Sequence, residues 1–196
     1  MLELLEKEQI ELFTKEEYKQ GEYIAHELDR CDKVFFVIQG EISISSYSLD
    51  GKEIVMNYLS KDSLFGNVLS FTKSPYFLGD IICKKDCLLL VISKNSLLNL
   101  LGENQKFLNA YLEYMCQETI KVKKQAKLFS YKKIEERIMY YLHAISLETK
   151  SSKVNIKSVT NLAYILCLPR ESVSRSLKHL ILEGYISKKN NQITIL

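Results

Sequence analysis

The 196 residues are 46% apolar, enough to build a core without staples, which excludes a disordered chain and a small disulfide-held scaffold. Residues 1–13 are studded with Glu and Lys, and no apolar run approaches the roughly 20 residues of a membrane span, so a cytoplasmic protein with no membrane partner is expected. The net charge of +3 hides an asymmetry, because residues 1–128 sum to −3 and residues 129–196 to +6. Lys and Arg clustered at one end point to a polyanion, from which they release counterions; a solvated basic face is the alternative reading. The five cysteines (31, 83, 87, 116, 167) are odd in number and contain no C-x-x-C pair, against a disulfide framework or a zinc ribbon.

From Tyr23 to Ser93, short runs rich in Val, Ile, Phe and Tyr are broken by turn chemistry about every ten residues, the pattern of an antiparallel β-barrel or jelly roll. Val34 to Ile38 stops at Gln39-Gly40, Ile42 and Ile44 alternate with polar neighbours, and Asp50-Gly51 supplies a hairpin turn before Ile54 to Leu59. Ile81 to Cys83 and Leu88 to Ile92 close the series. Cys83 and Cys87 flank a short turn and, if they lie on paired strands with facing Cβ atoms, would allow a redox disulfide.

Residues 103–129 contain no Gly or Pro and place Leu108, Leu112, Met115, Thr119, Val122, Ala126 and Phe129 at alternating spacings of four and three, a heptad seam on one long helix. Charged flanks leave that seam in need of a cover. The protein's own barrel could supply one, but three heptads exceed what a small barrel covers, so a parallel homodimer is expected.

The third segment begins with an amphipathic helix carrying Ile134, Ile138, Tyr141, Leu142 and Ile145. A short helix over Ser158 to Leu166 follows, then a second over Pro169 to Glu183, then two short strands, Tyr185 to Ser187 and Gln192 to Ile195, around a polar turn over Lys188 to Asn191. That order is a winged helix-turn-helix. On the second helix Val173, Leu177, Leu180 and Ile181 form the docking stripe. Arg170, Glu171, Ser174, Arg175 and Lys178 occupy the exposed arc, where Arg can bond guanine bidentately and Glu can accept from cytosine. Lys178, Lys188 and Lys189 suit phosphates. A polar face on a helix that merely packs is the competing reading.

The run Leu162-Ala163-x-x-Leu166-Cys167-Leu168-Pro169-Arg170-Glu171-Ser172-Val173-Ser174-Arg175-x-Leu177-x-x-Leu180, with Glu183-Gly184-Tyr185-Ile186 after it, closely resembles the DNA-binding signature of the Crp/Fnr family. Val34 to Gly40, Asp50-Gly51-Lys52-Glu53 and Asp62 to Gly66 resemble its barrel segments in the same order, so the likeness spans nearly the whole chain. It implies an α+β fold in which an N-terminal antiparallel β-roll, cupin-like, spans residues 1–102, a dimerisation helix 103–129, and a winged helix-turn-helix 130–196. It also implies that Arg170, Glu171 and Arg175, assisted by Ser174, read a palindromic half-site of TGTGA or TTGAT type on double-stranded DNA, with RNA polymerase as a further partner. By the same resemblance an effector would lie near Asn67, Tyr111, Met115 and Thr119, its identity open.

Several departures narrow that likeness. Cyclic-nucleotide-binding relatives hold the phosphate with a Glu and an Arg-Ser pair, where this chain has Asn67 and Ser74-Pro75-Tyr76-Phe77; Lys73 is the one nearby cation in sequence, which argues against cyclic AMP. No cysteine precedes Cys31, against an iron-sulfur cluster, and His26 is the only barrel histidine for a haem. In the turn, Cys167 stands where Gly is expected, making a positive φ costly, and Pro169 replaces a Ser or Thr cap but suits a first helical turn. No catalytic residue, cofactor or metal is expected, and the protein is not expected to be an enzyme. The competing functions are a cupin-like metal-binding or enzymatic barrel, for which a single histidine is too few ligands, and a protein-interaction module that uses the winged domain without DNA.

Overall fold

Eight strands precede the long helix in the computed structural model, which describes residues 1–48 and 50–196. They are β1 (Thr14–Tyr18), β2 (Tyr23–Ala25), β3 (Lys33–Gln39), β4 (Glu41–Tyr47), β5 (Glu53–Ser60), β6 (Leu64–Phe65), β7 (Asp80–Cys83) and β8 (Cys87–Ser93). Two antiparallel sheets result, ordered β1-β8-β3-β6 and β2-β7-β4-β5. Alternation decides which side chains turn inward: Ile42 and Leu89 are fully buried, and Phe35, Phe65, Phe77 and Ile81 join them in one core between the sheets. Phe35 stacks on Phe65 with ring centroids 4.5 Å apart, and Phe77 lies 6.4 Å from Phe35. This is the β-roll expected from the sequence, with β1 added. Thr14-Lys15-Glu16-Glu17-Tyr18 is too polar to announce a strand, and it becomes one because β8 offers its ladder from Val91 to Cys87.

Gly40, between β3 and β4, has φ +102°, and a Cβ there would fall 2.5 Å from the Asp86 carbonyl oxygen and 2.6 Å from the Cys87 sulfur. Only glycine fits so close a crossing of backbone and thiol. Cys83 and Cys87 do not meet the condition for a redox disulfide. Cys83 ends β7 and Cys87 begins β8, strands of opposite sheets and not a pair. Both are buried free thiols, the Cys87 thiol donating to the Lys85 carbonyl at 3.1 Å, and burial first, then the neighbouring Cys87 thiol, pushes Cys83 up to about 12. A protonated, shielded thiol is a poor nucleophile. Treatment of the native protein with an aromatic disulfide reagent should therefore label Cys116 and Cys167, which are exposed, and reach Cys31, Cys83 and Cys87 only after unfolding; rapid native labelling at Cys83 would contradict this.

Among the described residues, three α-helices accompany the strands of the roll in sequence: α1 (Lys7–Ile10), α2 (Lys94–Glu103) and α3 (Gln105–Ser130). The helix expected from residue 103 begins two residues later, because Asn104 ends α2 and starts α3. Its Oδ1 accepts from the Phe107 N–H at 3.0 Å, while its amide donates to the Leu4 carbonyl and to Gln9 Oε1. The chain divides into two compact units, Met1–Glu113 and Tyr114–Leu196.

The second unit holds the remainder of α3 together with α4 (Ile134–Thr149), β9 (Lys153–Asn155), α5 (Val159–Leu166), α6 (Arg170–Leu182), β10 (Ile186–Lys189) and β11 (Gln192–Ile195). Its sheet is ordered β10-β11-β9, and β9 is a strand the sequence does not announce. Ile138, Leu142, Leu162, Leu166, Val173, Leu177, Leu180, Ile186 and Ile193 make its core, which is why α4, α5 and α6 pack as a tri-helical wedge on a small sheet. Among the described residues, no helix is long and apolar enough to cross a membrane.

Candidate nucleic-acid interface

Ser158 caps α5, its hydroxyl accepting from the Asn161 N–H at 3.0 Å. The helix ends at Cys167 in the left-handed region, φ +51° and ψ +48°, with the Leu168 N–H reaching back to the Ala163 carbonyl at 3.0 Å. A non-glycine residue held there costs roughly 1–2 kcal/mol, and glycine gives back about 0.5–1 kcal/mol in unfolded-chain entropy. Cys167→Gly, at an exposed position, should thus raise stability by up to about 1 kcal/mol in urea unfolding; a loss would show that the thiol makes a contact of its own.

Pro169 does not enter the helix as expected. It is the N-cap of α6, with φ −58° and ψ +135°, and its carbonyl accepts from the Ser172 and Val173 N–H groups while its side chain offers no cap. Val173, Leu177 and Leu180 are buried as predicted, but Ile181 is 39% exposed and the fourth buried position is Ser176. The Ser176 hydroxyl, then the backbone at the first turn of α4, holds the Glu135 carboxyl below its usual range despite partial burial. No periodicity marks Ser176 in the sequence, because a small polar residue on a helix carries no sign of what packs over it.

Opposite the buried face, Arg170, Glu171, Arg175 and Lys178 are exposed and Ser174 is half-buried, all from the first three turns of α6. One helix therefore presents two forks, a carboxylate and an ammonium on one side, with its N-terminus leading. Lys188 and Lys189, expected in the wing's turn, lie instead in β10, opposite Ile193 and Gln192 of β11; Asn190 and Asn191 make the turn. The turn is tied down by Asn191, whose amide donates to the Lys157 carbonyl at 3.0 Å and whose carbonyl accepts from the Ile156 N–H at 2.9 Å. Consecutive strand residues point to opposite faces, so Lys188 and Lys189 cannot both face one partner squarely.

On α3, the seam residues Leu112, Val122 and Phe129 are 51%, 63% and 44% exposed in the single chain, and Thr119 satisfies its hydroxyl within the helix by donating to the Met115 carbonyl at 2.8 Å. Leu108 is half-buried, and Ala126 is exposed. Of the expected effector residues, Asn67 and Tyr111 are buried in the first unit, whereas Met115 and Thr119 belong to the second. A cleft of about 320 Å³ in the first unit is lined by other residues, among them Ile24, Asp29, Arg30, Lys33, Phe35 and Phe77. Arg30 is hidden by sequence distance: a backbone bridge between Arg30 and Tyr76 sets it beside the Ser74–Phe77 segment, where the sequence suggests Lys73 alone. Phe77 itself is turned into the core. His26 stacks on Tyr23 at 4.6 Å with Nδ1 3.5 Å from an Asp80 carboxylate oxygen, a surface pairing. Among the described residues, no group of three or more His, Cys, Asp and Glu lies close enough together to hold a metal.

A β-roll followed by a long helix and a winged helix-turn-helix defines a two-module protein, with the roll in one unit and an exposed basic helix in the other. Residues 15–104 match the cyclic nucleotide-binding domain family model. The Anaerobic regulatory protein of Bacillus subtilis strain 168 is 25% identical over 193 residues, 95% of this chain and 79% of that protein. The cAMP-activated global transcriptional regulator Vfr of Pseudomonas aeruginosa is 38% identical over 45 residues, 23% of this chain and 21% of its own. In fold, the chain is similar to a CooA mutant from Carboxydothermus hydrogenoformans, with TM-score 0.65 at 16% identity over 99% of this chain and 88% of that one. In sequence and in fold the chain is thus similar to bacterial transcription regulators of the Crp/Fnr family.

Proposed function

We propose that the protein is a cytoplasmic, homodimeric DNA-binding transcription regulator, not an enzyme, that reads a palindromic site in the major groove through α6. The observation that carries this reading is the arc of exposed Arg170, Glu171 and Arg175, with half-buried Ser174 among them, on a helix whose opposite face is locked into its own domain. Arg and Glu supply the donors and acceptors that tell bases apart, while Lys178 and one of the wing lysines, Lys188 or Lys189, neutralise phosphates. The α3 seam pairs two copies so that two reading helices meet two half-sites, about one helical turn of DNA apart. RNA polymerase is the expected further partner, and control arises in the β-roll.

A duplex selected by the protein from a random pool should bind at least 10³-fold more tightly than its scrambled counterpart at physiological salt. Equal affinity for the two would remove the reading. Because Lys188 and Lys189 face opposite sides of β10, Lys188→Ala and Lys189→Ala should act unequally, with one of them flattening the dependence of log K on log salt by about one unit and the other leaving it nearly unchanged.

A further inference from the structure

The sheet of β9, β10 and β11 has two unlike faces, and its register separates them. Lys188, Ile193 and Val154 stand in one cross-strand row; Ile193 and Val154 are buried in the core, so Lys188 leaves β10 on the core side. One residue along each strand, the direction reverses. The row of Lys189, Gln192 and Asn155 and the row of Ser187, Thr194 and Lys153 therefore both turn outward, and in the first of them Gln192 Nε2 donates to Asn155 Oδ1 at 3.1 Å. Ile156 is buried again past the end of β9, and exposed Lys157 follows it. The Lys157 carbonyl is the acceptor of the Asn191 amide, which fixes its backbone beside the wing turn. The outer face thus carries Lys153, Lys157 and Lys189 among hydroxyl and amide side chains, with no large apolar residue in either row. Residues 150–170 and 184–196 contain no Asp or Glu, and Glu148, the last carboxylate of α4, is ion-paired with Lys124.

We infer that this outer face is a phosphate-binding surface for DNA, formed by Lys153 and Lys157 of the β9 segment together with Lys189, and that Lys188 has no part in it. Ammonium groups and neutral donors with no competing carboxylate are complementary to phosphate oxygens. With about 3.3 Å per strand residue and about 4.8 Å between strands, the three lysines span roughly 10 by 13 Å. A duplex carries one charge per about 1.7 Å of its axis and meets such a patch in any register, whereas an acidic protein must offer carboxylates at matching places. The same compact unit holds α6, so DNA engaged by that helix is brought to the sheet with no second partner. The inference rests on the DNA-reading function proposed above.

The test measures dissociation constants for the duplex selected by the wild type and for its scrambled counterpart between about 50 and 200 mM salt. Lys153→Ala, Lys157→Ala and Lys189→Ala should each flatten the dependence of log K on log salt by about one unit on both duplexes, and the triple variant by about three. The ratio of the two constants should stay within about twofold of the wild type, since phosphates carry no sequence. Lys188→Ala removes the same charge from the same strand on the core side, and should leave the slope within about 0.3 unit of the wild type. All four lysines are exposed, so truncation spares the core. A triple variant with the wild-type slope overturns the inference and leaves the face to an acidic protein. Equal flattening by Lys188→Ala also overturns it, because net charge and not the face would then be the cause. So does a fall in the ratio, which would mean that the face reads bases. A wild type that binds neither duplex removes the DNA-reading function itself, a different outcome from the loss of this surface.

Discussion

Replacing Arg175 by Lys should lower the preference for the selected duplex over its scrambled counterpart by roughly 5- to 150-fold per half-site, the span of about 1–3 kcal/mol carried by one bidentate base contact. Lys keeps the positive charge but has no planar fork, so affinity for the scrambled duplex, which depends on phosphates, should change little. Arg175→Ala should lose the same discrimination and also one charge, shifting the salt dependence as well. The contrast between the two variants separates reading from attraction. Position supports it: Arg175 is exposed in the second turn of α6, and Val173 and Leu177 on either side of it in sequence are anchored in the domain core. Because a dimer presents the residue to both half-sites, the effect on a full palindrome is the product of two such losses. Should Arg175→Lys retain full discrimination, sequence is being read elsewhere on the protein.

Val122→Glu should convert the protein to a monomer. Val122 is 63% exposed in the single chain at a seam position, flanked in the heptad by Thr119 and Ala126. In a parallel pair the two copies of this side chain meet directly, so two carboxylates would be forced together in an apolar layer, where an unpaired charge is strongly unfavourable. Sedimentation at micromolar concentration should show a single chain. Affinity for the full palindrome should fall by about 100-fold or more as the second half-site loses its tethered partner. The neighbouring Lys123→Glu, a change of larger net charge off the seam, should leave the dimer intact. A Val122→Glu protein that remains dimeric would show that the seam is not the contact between copies.

The places where sequence and structure agree have a common physical basis. The starts of α5 and α6 are legible to within a residue because Ser158 and Pro169 carry their own backbone chemistry, and the docking stripe is legible because three large apolar residues recur at helical spacing. The strands from β3 to β5 show the same thing, with Gly40 and Asp50-Gly51 marking the turns between alternating segments. Local rules suffice where a segment's own pattern states both its conformation and its buried face.

What the sequence does not show depends on a partner distant along the chain. β1 and β9 are polar segments that become strands because β8 and β11 lend them a ladder. Cys83 and Cys87 are four residues apart, yet whether they pair across one sheet or face each other between two is set by the roll's crossing at Gly40. Arg30 comes to the Ser74–Phe77 segment through a single backbone bridge. Ile181 and Ser176 exchange places relative to the predicted stripe because α4 covers one side of α6 and leaves the other open.

By itself, then, the sequence determined the two modules, the long helix with its seam, and the arc of Arg170, Glu171, Ser174 and Arg175, since hydrophobic period, caps and charge are properties of contiguous residues. Only the tertiary structure decided that Lys188 and Lys189 leave β10 on opposite sides, that Arg30 lies beside Tyr76, and that Ser176 takes the buried place on α6 expected of Ile181. Those relations join residues whose separation along the chain carries no information about their distance in space, and burial and hydrogen bonding depend on that distance alone.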